Sequence, residues 1–216
     1  MELNNYIEHT LLKQDAKKED FIKLFDEAKE NKFLGVCINP NYVKFAKEYL
    51  KDTEVKIVTV IGFPLGANTT ATKVFETKEA VQNGADEIDM VINVTALKNE
   101  DYDFIINEIS EIKNACSGKN LKVILETDLL SKEEIKKACE CCIKGKADFV
   151  KTSTGFVKNG VGAKAEDVKL MYETVSPYGL RVKASGGIRD RQKALDMINS
   201  GASRLGTSSG IAIVKG

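Results

Sequence analysis

Eight short apolar runs recur roughly every 25–30 residues along this 216-residue chain, and segments with helical periodicity fill the intervals. Phe21, Leu24 and Phe25, for example, follow the i, i+3, i+4 spacing of an amphipathic helix. The apolar runs predict strands at Ile7–Leu12, Leu34–Ile38, Val55–Ile61, Glu87–Ile92, Leu121–Glu126, Asp148–Thr152, Leu180–Ser185 and Arg204–Thr207. Alternation of this kind is typical of a (β/α)8 barrel. We therefore predict an α/β fold, a TIM barrel with a short N-terminal helix, in a single domain over residues 1–216.

Short glycine-containing segments mark three joints between a predicted helix and the next strand. They lie at residues 83–86, 145–148 and 200–203. Glycine suits the left-handed residue just past a helix end, so the repeated joints support a chain of β/α units. A doubly wound open sheet is the alternative architecture, but the sequence contains neither a G-x-G-x-x-G motif nor a P-loop, and this weakens that alternative.

The charges of the chain balance, because Lys and Arg together number 32 and Asp and Glu also number 32. No basic excess predicts a nucleic-acid partner. The N-terminal segment lacks the apolar core of a secretory signal, and no run of about 18 apolar residues predicts a membrane span. Five cysteines, an odd number, indicate free thiols in a reducing compartment, so we predict a cytoplasmic protein.

Three charged residues interrupt apolar runs that should be covered on both faces of a parallel sheet. They are Asp89, Lys151 and Lys183. Side chains alternate along a strand, so the apolar neighbours of each charge should face the helices and the charge should face the barrel interior. Glycine-bearing runs at residues 152–155 and 185–187 follow the two lysines. This places the lysines near the carboxyl ends of their strands, where active sites of such barrels lie.

Two neighbouring lysines favour amine catalysis. A free lysine with a pKa of about 10.4 is almost wholly protonated at pH 7. A second ammonium group about 5 Å away lowers that pKa by about 2 units at an effective dielectric of about 20, and desolvation lowers it further. The neutral amine can then attack a carbonyl, while a nearby carboxylate moves protons. A salt-bridged barrel layer without chemistry remains the alternative interpretation.

Glycines and serines follow the last two predicted strands. Gly186 and Gly187 come after the seventh strand, and residues 206–209 (GTSS) open the last helix. Free backbone N–H groups, hydroxyl donors and a helix N-terminus bind anions, and barrels often hold phosphate in these two loops. We therefore predict a phosphate site here, with ordinary turn glycines as the alternative.

Longer motifs carry a resemblance to a known family. The most specific are Asp89–Asn93 (DMVIN), Phe149–Gly155 (FVKTSTG), Val182–Arg189 (VKASGGIR) and Leu205–Ala212 (LGTSSGIA). The runs at Glu8–Leu12, Val36–Pro40 and Val58–Gly66 match as well. In order and spacing they resemble the short bacterial form of the deoxyribose-phosphate aldolase family, from about residue 6 to about residue 214.

The resemblance implies a class I aldolase that cleaves 2-deoxy-D-ribose 5-phosphate reversibly to D-glyceraldehyde 3-phosphate and acetaldehyde. Lys151 would form the Schiff base, Lys183 would tune it and relay protons, and Asp89 would donate and accept protons. Substrate or phosphate contacts would come from Gly155, Gly186, Gly187, Gly206, Ser208, Ser209, Thr152 and Cys37. The resemblance also implies no metal or other cofactor, sugar phosphate and aldehyde partners, a homodimer, and a cytoplasmic role in deoxynucleoside breakdown.

Two positions depart from the family pattern. Glu8 stands where the family usually has Asp, and the segment 158–164 is less rich in glycine than usual. We therefore expect a change in the substrate contact from the first strand and in the phosphate side of that loop.

Neither the histidine nor the cysteines require a catalytic role. A zinc aldolase needs several imidazoles, and His9 is the only histidine, so we interpret it as structural. Cys139 and Cys142 share the apolar face of a predicted helix with Ile135, which favours buried thiols over a metal or redox site. Other phosphate-binding barrel enzymes, a transaldolase or a sugar-phosphate isomerase, stay open as functions, as does a non-catalytic sensor of sugar phosphates.

Overall fold

Eight parallel strands close into a barrel in the computed structural model, which describes residues 2–216. Each strand pairs with the next along the chain, and the last pairs with the first. The strands are β1 (Ile7–Leu11), β2 (Gly35–Ile38), β3 (Lys56–Ile61), β4 (Glu87–Val91), β5 (Asn120–Ile124), β6 (Phe149–Lys151), β7 (Arg181–Ser185) and β8 (Ala202–Thr207). The predicted (β/α)8 barrel is therefore confirmed. A single 3₁₀ turn at Leu3–Tyr6 forms the short N-terminal helix.

Helices connect the strands and cover the outside of the barrel. They are α1 (Lys18–Glu30), α2 (Val43–Tyr49), α3 (Thr70–Gln82), α4 (Val94–Lys98), α5 (Tyr102–Ala115), α6 (Lys132–Lys144), α7 (Ala165–Val175), α8 (Arg191–Asn199) and α9 (Gly210–Lys215). Further 3₁₀ turns lie at Pro40–Tyr42, Thr127–Leu129 and Ser176–Tyr178. Within residues 2–216, no helix has the length and apolar character needed to cross a bilayer.

Polar side chains set the starts of two of these helices. Ser131 accepts a hydrogen bond from the backbone N–H of Glu134, whose carboxylate accepts one from the N–H of Ser131, and this capping box begins α6. Asp190 begins α8 in the simpler way, because its carboxylate accepts the N–H of Lys193.

The glycine joints follow the prediction at two places and differ at one. Gly84 and Gly201 are left-handed, each with φ of 107°. Gly145 instead has φ of −76°, and Lys146 takes the left-handed position with φ of 62°. A Cβ on Gly145 would lie 2.6 Å from Cγ2 of Ile109, so this glycine serves the close approach of α6 to α5.

Apolar side chains fill the layer between strands and helices. Ile88 and Met90 of β4, Val150 of β6 and Val182 of β7 are all fully buried in it. Burial of each such side chain stabilises the fold by about 1.5–3 kcal/mol. Because side chains alternate, their strand neighbours point into the barrel, where the charged residues lie.

Two loops at the carboxyl ends of β6 and β7 pack against each other. The N–H of Ala163 donates to the carbonyl oxygen of Gly186 at 3.0 Å. A Cβ on Gly162 would lie 2.3 Å from the carbonyl carbon of Gly186, so glycine permits this approach. The contact holds the loop after β6 beside the end of β7, where the predicted site residues lie.

Candidate active site

Lys151, Lys183 and Asp89 meet inside the barrel. The Nζ atoms of Lys151 and Lys183 each lie 2.7 Å from the same oxygen, Oδ2 of Asp89. The two nitrogens are therefore separated by at most twice that distance. Lys151 and Lys183 are register partners on β6 and β7, which explains why their side chains leave the sheet at the same height. None of the three residues is more than 3% exposed.

Two further charged residues form a closed ring with Asp89 and Lys183. Nζ of Lys122 on β5 lies 3.1 Å from Oδ1 of Asp89 and 3.4 Å from Oε1 of Glu8. The other oxygen of Glu8, Oε2, accepts a hydrogen bond from Lys183. Asp89 and Glu8 thus each bridge the same two lysines, and all four side chains are fully buried. We refer to Glu8, Asp89, Lys122 and Lys183 as the charge ring.

Lys122 and Glu8 are not among the predicted site residues, and Glu8 stands out in the sequence only as a departure from a family pattern. Lys122 alternates with the buried Leu121 and Val123, which is the same signal that identifies Lys183. No glycine-bearing run follows Lys122 directly, so nothing in the sequence marked it as part of a site.

A second charged layer closes the barrel toward the amino ends of the strands. Oε2 of Glu87 lies 2.5 Å from Nζ of Lys122. The guanidinium group of Arg204 lies 3.6 Å from Glu8 and 3.8 Å from Glu87, and it stands over the ring of Phe149 at 5.5 Å. The charge ring is therefore separated from solvent on this side by ion pairs and an aromatic ring.

Burial and opposite charge act against each other on these groups. Burial alone would raise the pKa of Asp89, but Lys122, Lys151 and Lys183 hold it well below its usual value of 3.8. Burial alone would lower the pKa of Lys183, but the carboxylates of Asp89 and Glu8 raise it above 10.5. At neutral pH, Asp89 is thus an anion and Lys183 a cation, and both charges lie close to the Nζ atom of Lys151.

A cavity of about 340 Å³ opens at the carboxyl ends of the strands, and Lys151 lines it. We call it the mouth cavity. The predicted contact residues that line it are Gly155, Gly186, Gly187, Gly206 and Ser208. Gly186 and Gly187 have left-handed φ angles of 85° and 70°. A Cβ on Gly187 would lie 2.4 Å from the carbonyl oxygen of Val161, so this turn requires glycine.

Three other predicted contact residues lie outside the mouth cavity. Ser209 lines a neighbouring cavity together with His9. The hydroxyl of Thr152 donates to the carbonyl oxygen of Ser185 and accepts its N–H, both at 2.9 Å, so it joins β6 to β7. Cys37 is fully buried in a small apolar cluster inside the barrel.

Two cationic side chains that were not predicted also line the mouth cavity. They are Lys13, in the loop after β1, and Arg189, in the loop after β7. Both are exposed, so an anion bound beside the glycines can meet a positive charge that is already solvated. Arg189 belongs to a motif already noted, whereas no pattern marks Lys13.

A buried carboxylate holds the segment that follows Lys151. Glu126 accepts the N–H of Thr154 at 3.1 Å and also its hydroxyl. Glu126 has φ of 63°, an uncommon conformation for a residue other than glycine. The next aromatic residue, Phe156, packs edge to face on Phe63 at 5.2 Å. Contacts on both sides of Gly155, at Thr154 and at Phe156, therefore fix the loop that carries it.

Comparison with known proteins agrees with this geometry. The sequence matches the family model described as DeoC/LacD family aldolase over residues 6–216. This chain belongs to the DeoC/LacD family of aldolases. A relative from Exiguobacterium sp., named deoxyribose-phosphate aldolase, is 56% identical over 100% of this chain and 97% of its own length. A relative of the same name from Finegoldia magna is 55% identical, and the match covers 100% of both chains.

Solved structures of aldolases share the fold of this family member. The structure titled "QR15, an Aldolase" has a TM-score of 0.93 and 44% identity, and the match covers 99% of this chain and 94% of that one. The deoxyribose phosphate aldolase from Aeropyrum pernix, described as a unique tetramer, has a TM-score of 0.91 and 32% identity, and the match covers 99% and 89% of the two chains.

The histidine and the cysteines of this aldolase lie in structural surroundings. Nε2 of His9 lies 2.7 Å from Oε2 of Glu27, and the His9 ring packs against Phe33. Cys139 and Cys142 are fully buried on α6, and burial raises the pKa of both thiols. Throughout residues 2–216, no group of three or more His, Cys, Asp or Glu residues is placed to hold a metal ion.

Proposed function

We propose that this aldolase reversibly cleaves 2-deoxy-D-ribose 5-phosphate to D-glyceraldehyde 3-phosphate and acetaldehyde, through a Schiff base on Lys151. The observation that carries the proposal is the shared contact of Lys151 and Lys183 with Oδ2 of Asp89, beside a cavity rich in glycine. The names of the relatives from Exiguobacterium sp. and Finegoldia magna support the choice of substrate.

The reaction begins when Asp89 takes a proton from the ammonium group of Lys151, and the neutral amine then attacks the aldehyde carbon of the open-chain sugar. A proton moves from the nitrogen to the oxygen of the adduct to give the carbinolamine, and protonated Asp89 returns its proton when the carbinolamine hydroxyl leaves as water. The product is a protonated imine, which withdraws electrons from the neighbouring carbon.

Cleavage then follows at the bond between C2 and C3. A base removes the proton of the C3 hydroxyl, the C2–C3 bond breaks, and its electron pair moves to the imine to form an enamine. D-glyceraldehyde 3-phosphate leaves with C3 as its aldehyde carbon. Protonation of the enamine and hydrolysis of the imine release acetaldehyde and restore Lys151. Asp89 and Lys183 form the nearest proton relay, because both contact each other and Asp89 contacts Lys151.

The phosphate would bind at the far side of the mouth cavity from the amine. We assign this role to the backbone N–H groups of Gly186 and Gly187 and to the positive charge of Arg189, with Lys13 as a second cation. Three further predicted contacts that line the same cavity, Gly155, Gly206 and Ser208, would complete the anion site as hydrogen-bond donors, and Ser209 would contribute from the neighbouring cavity.

Three properties of the whole chain belong to the same proposal. We propose that residues 1–216 act as one domain, because β8 pairs with β1 and every strand belongs to the closed barrel. The five free cysteines support a reducing compartment such as the cytoplasm. We further propose a homodimer, which light scattering on the purified protein would distinguish from a monomer or a tetramer.

Mass spectrometry after chemical trapping tests the function. Borohydride added with acetaldehyde should attach a two-carbon group to Lys151, and Lys151→Met should lose both the adduct and the aldolase activity. Lys73→Met is the matched control, since Lys73 is another fully buried lysine that lies outside the barrel interior, and it should retain the adduct.

Other outcomes identify the alternatives. A trapped three-carbon ketose fragment would indicate a transaldolase. Binding of sugar phosphate without any trapped lysine would indicate an isomerase if turnover is seen, and a sensor if it is not.

A further inference from the structure

We propose that Lys122 is a positioning residue, which orients Asp89 and keeps it ionised until it takes the proton of Lys151 in the reaction. The proposal rests on the function given above, because it assumes that Lys151 is the reacting amine. Lys122 itself is fully buried and does not line the mouth cavity, so it acts on the reaction through the side chains that it contacts, and Asp89 is the one of these that contacts Lys151.

The two oxygens of Asp89 have separate partners. Oδ2 contacts Lys151 and Lys183, both at 2.7 Å. Oδ1 contacts Lys122 at 3.1 Å. A carboxylate held at both oxygens cannot rotate about its Cβ–Cγ bond without breaking one of these contacts. Lys122 therefore fixes the direction in which Oδ2 faces the amine.

Lys151 and Lys183 cannot supply a constant positive charge to orient Asp89 during the reaction. Lys151 must lose its proton before it can attack a carbonyl, so its attraction for Asp89 disappears at that step. Lys183 is the partner of Asp89 in the proposed proton relay, so its own proton is involved in the reaction. Lys122 takes no part in proton transfer, and the carboxylates of Glu8 on β1 and Glu87 on β4 lie against it. Although burial would lower its pKa, those carboxylates raise it, so Lys122 stays charged throughout.

The ionisable groups around Asp89 come from nearly every strand. Those near it are Glu8 on β1, Cys37 on β2, Glu87 on β4 itself, Lys122 on β5, Lys151 on β6, Lys183 on β7 and Arg204 on β8, while the register partner on β3 is the apolar Val60. Among the three lysines that contact Asp89, Lys122 is the one that takes no part in the proposed proton transfers.

The test measures the pH dependence of kcat and KM for Lys122→Met and Lys122→Gln. Loss of the charge should move the acid limb of the kcat profile upward by about 1–3 pH units, because an opposite charge at this distance shifts a carboxyl pKa by about that much. Below the limb, kcat should therefore fall at least tenfold, while KM changes little. Lys122→Arg, which keeps the charge, should restore the acid limb toward that of the wild type.

Lys73→Met separates this role from a structural one. Lys73 is equally buried and pairs with Glu108 at 2.9 Å, but it lies between α3 and α5. We expect this variant to lose stability and to keep the wild-type acid limb. If a folded Lys122→Met or Lys122→Gln enzyme also keeps that limb, the proposal is wrong.

A second variant covers the case in which neither neutral variant folds. Glu87→Gln removes a negative group that competes for Lys122, and the acid limb should then move to lower pH. An unchanged limb would overturn the proposal. Trapping of the wild-type enzyme with acetaldehyde and borohydride is done first, so that a failure of the Schiff-base assignment is seen separately from a failure of the role of Lys122.

Discussion

Arg189 brings to the mouth cavity a permanent positive charge that the backbone amides of Gly186 and Gly187 do not provide. Its exposed side chain lies in the loop after β7, two residues after the second of the two left-handed glycines. A guanidinium group can contact two phosphate oxygens at once, which a lysine such as Lys13 cannot. The phosphate end of the substrate should therefore depend on Arg189 more than on any other side chain of this cavity.

Replacement of Arg189 by methionine should raise KM for the phosphorylated sugar about 10- to 100-fold. A hydrogen bond to a charged group contributes about 1.5–3 kcal/mol, and the same contact exists before and during cleavage, so kcat should change little. Steady-state kinetics with 2-deoxyribose 5-phosphate and with unphosphorylated 2-deoxyribose would measure the effect. Arg181→Met is the control, since Arg181 lies at the opposite end of β7. An equal loss for both sugars would argue against a phosphate contact.

Sequence reasoning recovers individual residues where two signals coincide. Lys151 and Lys183 break an apolar strand and precede glycine, and the structure places both against Asp89. Lys122 breaks a strand without a following glycine, and Glu8 lies on a strand whose inward partners come from residues far along the chain. Which charges meet across a barrel depends on register, and one sequence does not contain that information.

At the scale of secondary-structure elements, the boundaries follow the sequence closely. All eight strands lie within two residues of their predicted ends, because apolar runs and polar helix caps mark them. The register irregularity between β7 and β8, at Val182 and Lys183, has no such mark. Such a shift belongs to the pairing of the two strands and not to either segment alone.

One buried ion pair joins two helices on the outside of the barrel. Lys73 on α3 contacts Glu108 on α5 at 2.9 Å and donates to the carbonyl oxygen of Val91 at the end of β4. Both charged side chains are fully shielded from solvent. The pair therefore ties the end of the strand that carries Asp89 to the helices that cover it.

Lys73→Met should lower the free energy of unfolding by about 3–5 kcal/mol, because it leaves the carboxylate of Glu108 buried without its cation. The double variant Lys73→Met/Glu108→Leu should recover much of this loss, since an apolar pair has no such uncompensated charge. Urea unfolding followed by circular dichroism would measure both. Should the double variant be as unstable as the sum of the two single variants, the pair would not be coupled in this way.

For the whole molecule, the interior charges link stability to pH. Burial would raise the pKa of Glu87, but Lys122 and its other partners lower it from 4.5 to about 2. A group with a depressed pKa contributes stability above its unfolded pKa, and it loses that contribution as pH falls toward its folded pKa. The contribution of Glu87 is therefore complete above about pH 4.5 and disappears toward pH 2.

Glu87→Gln should lower the free energy of unfolding by about 3 kcal/mol at pH 7, and the difference from the wild type should shrink between about pH 4.5 and pH 2. Guanidinium unfolding curves at a series of pH values would show it. Glu166→Gln is the control, because Glu166 forms an exposed pair with Lys132 and such pairs contribute little. If the free energies of unfolding of the wild type and the variant differ by the same amount across this pH range, the pKa of Glu87 is not lowered in the folded protein.

The charge ring also limits how this barrel can diversify. Its members come from four different strands, and each contacts two members of opposite charge. Substitution of one member alone therefore leaves an uncompensated charge buried in the barrel interior. New substrate preferences are therefore most accessible through the rim, at side chains such as Lys13 and Phe156 that no ion pair restrains. An engineer who wishes to redirect this scaffold would begin there, and would exchange the interior only as a complete set.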